Sequence, residues 1–181
     1  MGLFSGITDP GSPSGLKVYA AALNAGEKLT IERLYLPSKY SYTEDDVNNF
    51  LTILPVTRQV IINKLSAVPL TNSHWKRWSQ INGQWQLIEL RNGQLQSDQL
   101  KHFGQIAARA KEAELNNVKL NNFDEFSSSF TEELRSGGNC EEVTFWNSTA
   151  KEWREELKRL ASNLSWKVTE DESYWIWICR N

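Results

Sequence analysis

The sequence predicts an α+β domain with a mostly antiparallel or mixed β-sheet built from hairpins, and three to five helices packed on it. Three observations lead there. Short β-favourable runs flank the turn dipeptides Asn82-Gly83 and Asn92-Gly93. Apolar stripes of helical period lie between other runs, and a strand, helix, strand order closes the chain.

Taken in order, residues 5–15 hold Gly6, Pro10, Gly11, Pro13 and Gly15 among Ser, Thr and Asp. That composition suits a flexible leader, so residues 1–15 are set apart from a single domain over 16–181. "LKVYAAAL" and "EKLTIERLYL" around Asn24-Ala25-Gly26 predict a first hairpin. Thr43 and Asp46 match a capping box, and Val47, Phe50, Leu51 and Leu54 follow at helical spacing, so a kinked or paired helix is expected over 44–66, broken at Pro55. Asn82-Gly83 predicts a two-residue hairpin turn that sets Trp78 against Leu87 and Lys76 against Glu89. Asn92-Gly93 repeats the signal and predicts a short returning strand at 94–96.

Ser97 is placed to cap a helix carrying Leu100, Phe103, Ala107 and Ala110 to about Leu115, followed by "NNVKLNN" as a polar linker. Asn122 and Glu125 open a helix striped by Phe123, Phe126, Phe130 and Leu134, which Gly137-Gly138 ends. "EVTFW" reads as a strand. Thr149 and Glu152 predict a capped helix over 149–164. A terminal hairpin follows, in which a two-residue loop at Asp171-Glu172 pairs Trp166 with Trp177 and Val168 with Trp175. The helix stripe is expected to cover the Trp175/Trp177 face, with Ile176 and Trp177 both buried and Tyr174 and Trp175 partly exposed. No internal repeat of fixed period stands out.

Composition bounds function. The chain has 181 residues, 40% apolar and 23% charged, with a formal net charge of −2 and eight Trp. Such a charge supplies no global attraction to nucleic acid or to an anionic membrane. No apolar run reaches the roughly 18 residues of a membrane helix. Two Cys, without CxxC and without a secretory signal in the first fifteen residues, lead to the expectation of a cytoplasmic protein with reduced thiols.

Motifs with a specific chemistry do not emerge. His74 and His102 lack metal-ligand spacing, so no metal or cofactor is expected and both read as surface or packing residues. Acidic pairs such as Asp124-Glu125 and Glu141-Glu142 sit at helix starts and turns, where the helix dipole explains them. Two aromatic constellations remain. "HWKRW" interleaves Trp75, Lys76, Arg77 and Trp78 as single-strand-binding ribbons do. "SYWIWIC" is apolar on both faces and rich in the residue types that anchor protein interfaces. The leading expectation is therefore a small protein-binding factor of inhibitor, immunity or adaptor type rather than an enzyme, with Trp75, Arg77, Tyr174 and Trp175 at the contact. Its partner is another protein, and a homodimer is a variant of that expectation. The alternative is a single-stranded nucleic-acid binder using Trp75, Lys76, Arg77 and Trp78. Third comes an enzyme whose carboxylates converge only in the fold.

Overall fold

A computed structural model describes residues 9–181. Ser12 opens the first helix: its hydroxyl accepts from the Gly15 N–H and Pro13 fills the first helical turn, giving α1 (Pro13–Asn24). The leader expected over 1–15 is thus folded from residue 9, with the Tyr40 hydroxyl donating to Asp9 and the Tyr42 hydroxyl to the Gly11 carbonyl. Residues 1–8 lie outside the described residues. Gly26, at φ +83°, turns the chain after a helix and not within a hairpin.

From there strand and helix alternate. The order is β1 (Ile31–Leu36), α2 (Glu44–Ile53), β2 (Thr57–Ile62), α3 (Asn72–Ser79), β3 (Leu87–Leu95), α4 (Ser97–Arg109) and β4 (Glu112–Leu120). It continues through α5 (Phe123–Arg135), β5 (Glu142–Trp146), α6 (Asn147–Leu164), β6 (Lys167–Asp171) and β7 (Trp175–Cys179). One seven-stranded sheet results, in the order β1-β2-β3-β4-β5-β7-β6. The first five strands run parallel, and only the terminal hairpin is antiparallel.

The fold is therefore α/β with six described α-helices, and the expected antiparallel, hairpin-built sheet is wrong. The reason is local. Thr71 caps α3 through a reciprocal box with the His74 Nδ1, so "NSHWKRWS" is a helix and Asn82-Gly83 lies in the loop after it. The pairs Trp78/Leu87 and Lys76/Glu89 do not form. Each helix carries the chain back to the end where the previous strand began, and the next strand must then run parallel. Two further strands were hidden by the same kind of error. Val60 and Ile61 belong to β2, not to a helix over 44–66, and "NNVKL" belongs to β4, not to a linker. The capping box at Thr43/Asp46 and the helix opened by Asn122 are as the spacing predicts.

Sequential strand order makes an α/β solenoid with one strand and one helix per turn. Leu36, Ile62, Leu90, Leu115 and Phe145 share one row of the sheet at steps of 26, 28, 25 and 30 residues. Unequal steps explain why a fixed period was not visible. Two residues beyond the last three of these, Asn92, Asn117 and Asn147 stand at φ +54°, +54° and +53°. Asn tolerates this left-handed conformation, and its amide ties each bend to a neighbour. Asn92 Nδ2 donates to the Asn63 carbonyl, and Asn117 Oδ1 accepts from the Ser148 N–H and hydroxyl. Asn92-Gly93 consequently bends a continuing strand and does not reverse it.

The helices form one layer on one face of the sheet. Rings link them: Phe50 to Trp78 at 5.3 Å, Trp78 to Trp75 at 5.2 Å, Trp75 to Phe103 at 6.2 Å, Phe103 to Phe126 at 5.9 Å, and Phe123 to Trp153 at 5.8 Å. This aromatic chain runs from α2 to α6 and holds three of the eight tryptophans. Phe145 of β5 meets Phe123 and Phe126 and so marks the covered face of the sheet. Among the described residues, no helix is long and apolar enough to cross a membrane.

Candidate protein-binding face

The site follows from alternation along each strand. Residues such as Val60, Ile62, Ile88, Leu90, Val143, Phe145, Ile176 and Ile178 point to the helices and are fully buried or nearly so. Their neighbours point to the opposite face, which no described helix covers. Register there sets three rows across the sheet. The middle row runs Tyr35, Ile61, Glu89, Glu114, Thr144, Trp177 and Thr169. The row toward the start of the parallel strands includes Leu87, Glu112, Glu142 and Cys179, and the row toward their ends includes Arg91, Asn116, Trp146 and Trp175.

This face has an acidic centre. Glu89 lies opposite Glu114, and Glu112 opposite Glu142, two like-charge pairs on adjacent strands. Such pairs are destabilising where they stand directly opposed. Arg91 neutralises one carboxylate through two hydrogen bonds to Glu89, at 2.6 and 3.0 Å. Among the described residues no ion pair reaches Glu112, Glu114 or Glu142. Burial and then the charge of Glu89 raise the Glu114 carboxyl above the ordinary carboxylate range, against a hydrogen bond from Trp146 Nε1 at 3.0 Å that lowers it. Glu112 is raised by burial and then by Glu142.

Beside the acidic centre the face is aromatic. Trp146 and Trp175 are register partners with ring centres 6.3 Å apart, and Trp177 stands two residues along the same strand. All three are half-buried. The Trp177 Nε1 is shielded and has no hydrogen-bond partner among the described residues. The terminal hairpin positions them. Its loop covers residues 172–174 and its register sets Thr169 against Trp177 and Val168 against Ile178. That is an odd shift from the expected Val168/Trp175 pairing, so β6 presents the opposite face. The helix layer covers Ile176 and Ile178, not Trp175 and Trp177. Ile176 is buried as expected, Trp177 is only partly so, and Tyr174 is 63% exposed.

The sequence-derived site residues divide. Tyr174 and Trp175 belong to the accessible hairpin. Trp75 and Trp78, 1% and 0% exposed, lie in the helix-layer core and offer no platform to a base or a partner. Lys76 and Arg77 are exposed on α3 without an accessible Trp beside them, and Arg77 donates to Asn48 Oδ1 at 2.7 Å. The interleaved pattern is that of a helix with one buried side, which periodicity of two concealed. Glu112, Glu114 and Trp146 were missed as site residues, while Glu89 was set against Lys76 in a hairpin and Glu142 was read only as half of the Glu141-Glu142 pair. The signal that could have found them is the recurring Leu-x-Asn-x-x-Leu of 90–95 and 115–120, which aligns the strands.

His74 serves the α3 cap, and the His102 Nδ1 lies 3.4 Å from the Ser79 hydroxyl. Among the described residues no group of three His, Cys, Asp or Glu could hold a metal ion. Cys140 and Cys179 are both free, and burial pushes the Cys140 thiol up to about 12.

Fold and face together define a short α/β solenoid whose helix-free sheet surface is acidic and aromatic, with Ile61, Glu89 and Thr144 buried within its middle row. No protein-family model matches the chain, and the sequence of no curated protein matches it.

Proposed function

We propose that the chain binds another protein through the open face of its sheet and performs no chemistry of its own. The observation that carries this reading is the half-buried group Trp146, Trp175 and Trp177 on a face that no described helix covers. Large, stiff aromatic side chains contribute disproportionately to protein interfaces. The architecture supports the same reading, since solenoids present extended surfaces made of one side-chain position from each turn. Two of the four carboxylates of the face are held in place, Glu89 by Arg91 and Glu114 by Trp146, an arrangement that serves recognition. Two free thiols favour a reducing compartment, and we place the protein in the cytoplasm.

The test is capture of partners on the immobilised chain and on a Trp175→Glu variant, followed by calorimetric titration of each captured protein in purified form. A partner whose affinity drops by more than about tenfold in the variant supports the reading. Partners that bind parent and variant equally would move the interface off this face.

A further inference from the structure

Resting on the protein-binding reading above, we infer that the segment docking on the open face is cationic: a stretch of the partner rich in Arg and Lys whose charges meet Glu112, Glu114 and Glu142 and whose side-chain planes lie on Trp146 and Trp175. The first support is electrostatic. Two like-charge pairs stand on adjacent strands, Arg91 answers one of the four carboxylates, and no described cation pairs with the other three. A folded chain holding unpaired carboxylates side by side is relieved when an external cation arrives. Burial first, and then the facing carboxylates Glu142 and Glu89, raise the Glu112 and Glu114 carboxyls.

The second support is geometric. Trp146 fixes the Glu114 carboxylate by its indole N–H, so an aromatic plane lies directly beside an anionic oxygen. Guanidinium groups combine these two demands, since they pair with carboxylates and stack on indole faces. Nucleic acid and acidic peptides are repelled by the same carboxylates.

The experiment is fluorescence anisotropy of the purified chain with a labelled peptide of alternating Arg and Leu, beside Glu/Leu and Gln/Leu counterparts. The Arg peptide should bind, and binding should fall by more than about tenfold in Glu112→Lys/Glu142→Lys and in Trp175→Ala, each verified as folded by circular dichroism. Reversal of two exposed helix-side acids, Glu152→Lys/Glu155→Lys, should leave it unchanged. Equal loss in that control would mean unspecific attraction and would overturn the inference, as would failure of the Arg peptide to bind at all. A Gln/Leu peptide held through Trp175 with no dependence on Glu112 or Glu142 would also overturn it, while leaving the face as a protein-binding surface.

Discussion

Ile176 and Trp177 are neighbours in one strand, equally apolar by type, and occupy opposite worlds. Ile176 is fully buried beneath the helix layer, whereas Trp177 faces a surface of carboxylates and other indoles, and its N–H has no partner among the described residues. The same contrast holds across the whole sheet. On the covered face β1 to β5 and β7 bury aliphatic or aromatic side chains, and the aromatic chain from Phe50 to Trp153 locks the helices to one another. On the open face, like charges oppose each other on adjacent strands. Stability is concentrated on one side, and the other side is left free to carry side chains that folding alone would not select.

The contrast can be broken most severely within β7. Ile176→Asp sets an uncompensated carboxylate into the core and should abolish cooperative folding, while Trp177→Asp should leave a folded chain. Circular dichroism and thermal melts distinguish them, and a native-like melt for Ile176→Asp would reverse the assignment of the two faces. Next in size is Phe126→Ala, which removes a ring packed on Phe103, Phe123, Phe130 and Phe145. It should cost about 3–5 kcal/mol in urea denaturation. Smaller is Thr149→Val. The buried Thr149 hydroxyl accepts from the Val118 N–H and donates to the Val118 carbonyl, so the substitution should cost about 2–4 kcal/mol while Thr149→Ser costs much less. Equal losses for Val and Ser would assign the effect to packing and not to these bonds.

The smallest expected effect sharpens the open side. Burial, and secondly Glu89, raise the Glu114 carboxyl in the folded chain. As pH rises the unfolded chain therefore releases this proton first. Stability attributable to Glu114 falls as pH climbs from the ordinary carboxylate value through the raised one, and the penalty is complete above it. Glu114→Gln should flatten this part of the profile and gain stability at neutral relative to acidic pH. Denaturant midpoints at about pH 5 and about pH 8 measure it, and an unchanged slope would show that Glu114 does not titrate there.

How much of this was legible in the sequence depended on whether the signal was local. The Thr43/Asp46 cap, the stripe of Phe123, Phe126 and Phe130, and the strand at "EVTFW" were all readable, because a cap or a period is complete within a few residues. Strand direction was not, because it is decided by what connects two strands. Reading "HWKRW" as a ribbon removed a helix, and with it the parallel crossover from β2 to β3. At the terminal hairpin a loop of three residues in place of two turned every side chain of β6 to the other face. The acidic centre was illegible for a further reason: Glu89, Glu112, Glu114 and Glu142 come from three strands and meet only through register.

The sequential strand order has one more consequence, which is metrical. Because no strand is skipped from β1 to β5, each turn advances the open face by a single strand spacing of roughly 4.8 Å, and seven strands graduate about 29 Å. The face is a ruler with evenly spaced marks, legible only to something that lies across the strands. A segment lying across the strands therefore meets a new strand's side chains about every 4.8 Å, and the spacing of its own side chains must answer that interval.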